Sequence, residues 1–207
     1  MNYFEFKQKI QELPFFETRE LRLILGENFK NSTLINLKNW ANKGHLIMLR
    51  RGLYLVAEEV EKNDFMVFST KLYQPSYISL EMAMNYYGII PEAVFMVTCV
   101  TTRKTKKFST KLGNFSYQKI KKEAFGGFET RKNGKISFNL ALPEKAIVDF
   151  LYLNRNILTG DYEQFKSYRF NEDFKFKTKR LLEFSKAFHN KKVLFLTKNF
   201  IKYYASK

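Results

Sequence analysis

Two apolar runs, Leu46-Ile47-Met48-Leu49 and Leu53-Tyr54-Leu55-Val56, are held apart by Arg50-Arg51-Gly52. Short apolar runs around a glycine-containing turn read as a β-hairpin with the arginines at its tip. Gly52 supplies the positive φ that such a turn needs. Three helical segments precede it. Phe4, Phe6, Ile10 and Leu13 form an imperfect apolar stripe over residues 2–13, and Pro14 ends it. Thr18 is a suitable N-cap for a second helix, in which Leu21, Ile24 and Leu25 recur at helical spacing before the stop at Gly26. Asn31 or Ser32 can cap a third, running to Lys43 with Gly44 as its stop. Three helices and then a hairpin is the order of a winged helix-turn-helix, here over residues 1–57.

The third helix separates a reading element from a plain core helix. At 100° per residue, Leu34, Leu37 and Ala41 share one face, which should turn inward. Ser32, Asn36, Asn39 and Lys43 fall on the opposite face, with Thr33 and Trp40 beside them. Asparagine can make paired hydrogen bonds to adenine, and hydroxyl or ammonium groups reach bases or phosphate. Nothing acidic lies between Asn28 and Ala57, so no side chain there repels phosphate. Arg50 and Arg51 suit contact with the DNA backbone or minor groove. The candidate DNA-binding set is therefore Ser32, Thr33, Asn36, Asn39, Lys43, Arg50 and Arg51. The competing reading is a helix-turn-helix used for protein–protein contact, with this face simply solvated.

Charge supports a polyanionic partner. The chain has 207 residues, with 36 Lys and Arg against 20 Asp and Glu, a net charge of +16. The excess is concentrated between residues 103 and 145, which carry 12 basic and 3 acidic side chains. Arg103-Lys104-Thr105-Lys106-Lys107 begins that stretch as a basic loop. Lys111, Lys119, Lys121, Lys122, Arg131, Lys132 and Lys135 would enlarge the patch if hairpins brought them together.

A polar stretch, Ala57-Glu58-Glu59-Val60-Glu61-Lys62-Asn63-Asp64, marks a boundary, and residues 58–207 read as a mixed α+β domain. Residues 65–72 and 80–87 look helical, the latter capped by Ser79 and stopped by Gly88. Residues 94–101 form a strong strand, rich in β-branched and aromatic side chains. Further strands are expected at 108–110, 114–120 and 136–142. Pro143-Glu144 opens a helix through Leu153, and residues 161–168, 178–189 and 194–204 look helical. The fold class is α+β: a winged helix followed by a small sheet flanked by helices.

No catalytic constellation emerges. His45 and His189 lack the spacing of a metal pair. The one cysteine, Cys99, lies in the strong strand and reads as a small core residue. No GxxxxGK[ST] or GxGxxG loop occurs. Glu144, Lys145 and Asp149 loosely suggest a nuclease acid–lysine pair, but a carboxylate at Glu144 also complements a helix dipole. No apolar run is long enough to span a bilayer and no signal peptide is visible, so a cytoplasmic, non-enzymatic protein without cofactor or metal is expected.

Asn36-Leu37 through Lys43-Gly44-His45-Leu46, Arg51-Gly52-Leu53-Tyr54, Pro75-Ser76-Tyr77-Ile78-Ser79-Leu80-Glu81 and Tyr86-Tyr87-Gly88-Ile89-Ile90-Pro91-Glu92 occur in that order. Thr98 to Thr105, Pro143-Glu144-Lys145-Ala146 and Asp149-Phe150-Leu151-Tyr152 follow. In order and spacing, residues 1–155 resemble the AbiEi-type antitoxins, the DNA-binding partners in AbiE abortive-infection (type IV) toxin–antitoxin pairs. The resemblance implies a winged helix that represses its own operon at double-stranded operator DNA with inverted repeats. It also implies a C-terminal domain that neutralises a nucleotidyltransferase-like toxin without a stable complex. Arg103, Lys104 and Lys107 are then the candidate antitoxin surface. The alternative is a plain winged-helix regulator whose C-terminal domain dimerises or senses a ligand.

Overall fold

The computed structural model describes residues 1–10 and 13–206, so positions 11 and 12 of the first expected helix fall outside the described residues, while Leu13, expected on its apolar stripe, lies beyond the helix and is exposed. Helix α1 (Tyr3–Ile10) buries Phe6 and Ile10, four apart on one face, and leaves Phe4 in solvent. Strand β1 (Phe15–Glu17), absent from the sequence reading, leads directly into α2 (Thr18–Leu25). The residue before that helix is Glu17, not Thr18 as expected. The Glu17 N–H donates to Glu20 Oε2 at 2.8 Å, while the Thr18 hydroxyl donates to the Gly52 carbonyl at 3.2 Å. Gly26 (φ +50) ends α2, and a 3-10 turn leads to α3 (Asn31–Asn42). Strands β2 (Leu46–Arg50) and β3 (Leu53–Val56) make the expected hairpin, with Gly52 at φ +81. All three strands are antiparallel, in the order β1-β3-β2.

The expected polar linker is instead a single helical turn, α4 (Glu58–Glu61). A 3-10 turn (Phe65–Phe68), started by the Asp64 carboxylate on the Met66 N–H, runs into α5 (Ser69–Leu72). Then come β4 (Ser76–Ile78), α6 (Leu80–Tyr86), β5 (Met96–Thr101), β6 (Lys106–Thr110) and β7 (Gly113–Lys119). Strands β8 (Phe128–Asn133) and β9 (Ile136–Ala141) form a hairpin before α7 (Pro143–Leu153). The chain ends with α8 (Tyr162–Ser167), α9 (Thr178–Lys186) and α10 (Lys191–Ala205). The second sheet has six strands in the order β6-β7-β5-β4-β9-β8, parallel at β5–β7 and β4–β9 and antiparallel elsewhere. Helix α7 packs against α6, α9 and α10. The architecture is mixed α+β.

Two buried clusters hold it together. The smaller joins Phe6, Ile10 and Phe16 to Leu21, Leu25, Leu37, Trp40, Leu46 and Tyr54. The larger is built on the six-stranded sheet and takes in Leu49, Leu53 and Leu55 from the hairpin. The hairpin therefore feeds both cores. Among the described residues no helix is long and apolar enough to cross a membrane.

Candidate nucleic-acid interface

Helix α3 turns a different arc outward from the one the periodicity implies. Thr33, Leu37 and Trp40, spaced by four and three, are its buried line, and Leu34 is exposed. The large indole decides the rotation: Trp40 packs on Phe6 at 4.7 Å and Tyr3 at 5.5 Å between ring centroids, where Ala41 could offer little area. Thr33, expected at DNA, is only 4% exposed, and its hydroxyl accepts the Lys30 N–H at 3.2 Å, so it caps the helix. Asn36 is half-buried and donates its amide to the Met1 carbonyl at 3.4 Å. Ser32, Asn39 and Lys43 do face solvent. Asn31, Ile35, Lys38 and Asn42 complete the exposed stripe and were missed. Ile35 is 60% exposed at its centre, a position the sequence rules assign to a core.

The two hairpin arginines separate. Arg51 is exposed at the turn. Arg50 is not free: its Nε donates to the Leu72 carbonyl at 3.0 Å and its Nη2 pairs with Glu17 Oε1 at 2.6 Å. Sequence placed both at the tip, but the hairpin leans on α5, so the guanidinium is spent bridging β1 to the second unit.

That bridge forms the floor of a cleft of about 500 Å³. Arg19 and Arg50 enter it from the N-terminal elements, and Lys71, Arg103 and Lys106 from the larger unit. Glu17 is the sole carboxylate among its lining residues. The Arg103 guanidinium lies 4.8 Å from the Tyr73 ring centroid and donates to the Gln74 carbonyl at 3.1 Å. Lys106 Nζ lies 4.7 Å from the Phe108 ring and Lys71 Nζ 5.3 Å from Phe15. The rings are covered by cations and by one another, so they hold the cations in place rather than offering faces to bases. Five cations gathered by aromatic floors and one carboxylate suit a run of phosphates.

The proposed basic surface does not assemble as expected. Lys106 and Lys107 begin β6 rather than lying in a loop, and alternation sends them to opposite faces. Arg103 reaches the cleft; Lys104 and Lys107 do not line it. Arg131, Lys132 and Lys135 belong to the β8–β9 hairpin. Strands β6 and β8 are opposite edges of the sheet, about 24 Å apart at the usual strand spacing. The central positive charge is split between two edges.

Glu144, Lys145 and Asp149 are buried in the larger core. Glu144 sits in the first turn of α7, as the dipole reading expects, and its Oε1 also accepts the Lys177 N–H at 2.8 Å, which fixes the entry to α9. The Asp149 carboxylate pairs with Lys145 and accepts hydrogen bonds from Tyr77 Oη at 2.9 Å and Ser79 Oγ at 2.8 Å. Burial raises the Asp149 carboxyl and lowers the Lys145 ammonium, each opposed by the other's charge. With no exposed atom at this carboxylate, a substrate phosphate has no approach to it. Cys99 is buried, which pushes its thiol up to about 12 and makes it inert. Among the described residues no three His, Cys, Asp or Glu side chains gather as they would around a metal ion. No protein-family model matches the chain, and no curated protein sequence does either.

Proposed function

We propose that residues 1–57 are a winged helix-turn-helix that binds double-stranded operator DNA, and that the chain represses its own operon and acts as the antitoxin to a nucleotidyltransferase-like toxin. The observation that carries the DNA reading is the α3 stripe: Asn31, Ser32, Ile35, Lys38, Asn39 and Asn42 are exposed, and the sequence from residue 29 to 56 contains no carboxylate. Amides pair with adenine edges and a branched aliphatic group packs on a thymine methyl. The five-cation cleft beside the hairpin offers phosphate contacts to the same duplex. The antitoxin half rests on the resemblance of residues 1–155.

Binding to the DNA upstream of its own gene, against a scrambled duplex at two salt concentrations, tests the first half. A duplex-independent affinity would remove the operator reading. Asn39→Ala is expected to cost about 1–3 kcal/mol on the specific duplex only. Ile35→Ala is expected to leave stability unchanged and abolish discrimination between thymine and uracil at one operator position. Co-expression with the neighbouring gene product, scored by growth, tests the second half. Absence of rescue would leave a plain regulator.

A further inference from the structure

A second cavity, of about 520 Å³, opens between α6, the segment leading into β5, and the residues after α8. Its floor is apolar: Met84, Ile90, Phe150 and Phe170 line it and are buried elsewhere on their surfaces. No lysine or arginine lines it, in a chain of net charge +16. Its two carboxylates are not equivalent. Glu92 is neutralised by Arg169, whose Nη2 lies 2.5 Å from Oε1. Among the described residues no donor pairs with Glu81. Tyr168 lines the same cavity as Glu81, and its hydroxyl is raised, first by burial and then by the Glu81 charge.

The walls are tied to each other before anything binds. Asn171 N–H donates to the Ile89 carbonyl at 2.7 Å and its amide to the Gly88 carbonyl at 3.0 Å. Asn85 donates to the Glu92 carbonyl at 2.9 Å. Arg169 takes a left-handed backbone (φ +47) between Tyr168 and Phe170, which both line the cavity. A non-glycine side chain held at positive φ is strained, and such outliers cluster where a site is held in shape. At the rim Phe95 is 87% exposed, so an occupant would remove a large apolar side chain from water.

We propose that this cavity binds a small organic cation: a primary amine or guanidine on an apolar body, its charged head against Glu81 and the Tyr168 hydroxyl, its body on Met84, Ile90 and Phe150. The volume is within the range of small-molecule sites. An anion would face an unpaired carboxylate. A neutral apolar molecule would leave that carboxylate desolvated and unpaired. The proposal is independent of DNA binding and gives the ligand class for a sensing domain.

The test uses 2-phenylethylamine, its neutral isostere 2-phenylethanol, and phenylacetate on the full chain with ¹³C-methyl methionine. The chain has six methionines, of which Met84 and Met96 line the cavity. Saturable shifts at those two methyls in the millimolar range are expected with the amine. Binding of the alcohol should be about tenfold weaker, and the carboxylate should not bind. Glu81→Gln should reduce the amine to the alcohol's affinity with an unchanged melting temperature. Phe95→Ala, at an exposed position that cannot unfold the core, should weaken amine and alcohol alike. Equal binding of amine and alcohol, amine binding undiminished in Glu81→Gln, or shifts confined to Met1 and Met48 would each overturn the proposal. So would the absence of any shift at millimolar amine.

Discussion

The cleft under the hairpin and the cavity beside α6 enclose nearly the same volume, about 500 and 520 Å³, with opposite linings. One gathers five cations around a single carboxylate; the other has an apolar floor, an unpaired carboxylate and no cation. Net charge therefore says little about any one site in this chain. What sorts the two is the provenance of the walls. The cleft is made where two elements meet edge to edge and long basic side chains can lie on aromatic rings with their heads in water. The cavity is made inside the larger unit, between α6, the segment leading into β5, Phe150 of α7 and the chain at the end of α8. One short segment serves both: Lys71 to Gln74 line the cleft, Glu81 and Met84 line the cavity, and between them Tyr77 and Ser79 donate to Asp149.

The largest effect should come from cutting that shared anchor. Lys145→Met leaves the Asp149 charge buried without its partner, which is expected to cost about 3–5 kcal/mol. Denaturant unfolding would show it, and both sites should be lost together. Replacing both partners, Lys145→Met with Asp149→Leu, should recover most of that loss, because a buried pair roughly balances its desolvation against its attraction. A Lys145→Met variant that loses the amine site but keeps full DNA affinity would mean that the two regions are not coupled through this segment.

The same anchor marks the limit of what the residues disclosed. Helix α7 was read to its ends because Pro143 starts it and its apolar spacing is regular. The i, i+4 relation of Lys145 and Asp149 was visible as well, but their burial depends on β4, a three-residue strand behind Pro75 too short to carry a period. Strand β1 was hidden for the same reason. Strand β8, Phe-Glu-Thr-Arg-Lys-Asn, was missed because an edge strand with one solvent face can be largely charged. The cleft joins Arg19 to Lys106 through the order of strands and the lean of a hairpin, and local spacing encodes neither. On α3 the exposed arc was misjudged because Leu34 was ranked above Trp40 as a core residue.

Arg50 and Arg51 offer the next largest contrast. Arg50→Ala removes a charged hydrogen bond to Leu72 and the Glu17 ion pair, so it should cost about 1.5–3 kcal/mol of stability and also open the cleft. Arg51→Ala should leave the melting temperature alone and act only on DNA affinity. Equal melting temperatures for the two variants would show that the Arg50 bridge does not hold the hairpin to the larger unit.

Alkali should weaken both cores, because burial also raises the hydroxyls of Tyr3 and Tyr54 at the smaller one. Tyr77, Tyr87 and Tyr117 are raised by burial, Tyr87 to about 12, and Cys99 is raised to about 12. A folded-state pKa above the unfolded one gives stability that is complete below the unfolded value and is lost as pH climbs toward the folded value. The loss should therefore begin above pH of about 9, where the unfolded thiol and phenols start to ionise. Those four groups all sit on the larger core, so the α6 cavity should fail in step with tyrosinate absorbance. Flat stability to pH of about 11 would contradict the burial of these groups.

The smallest effect is a slope. If the cleft holds backbone phosphates, Arg103→Gln and Lys106→Gln should each lower the dependence of log affinity on log salt by about 0.9, the counterion released per phosphate contact. Lys107→Gln is the internal control. It is the next residue on the same strand, carries the same charge and lies on the opposite face. A purely long-range field would make Lys106 and Lys107 equivalent, because they differ little in distance from the duplex on the scale of the ~10 Å Debye length at ordinary salt. Unequal slopes would instead require contact, and contact at Lys106 requires the duplex to reach past the hairpin to the edge of the six-stranded sheet. Equal slopes for the two lysines would return the cleft to a solvated seam and leave the α6 cavity as the one built site of the pair.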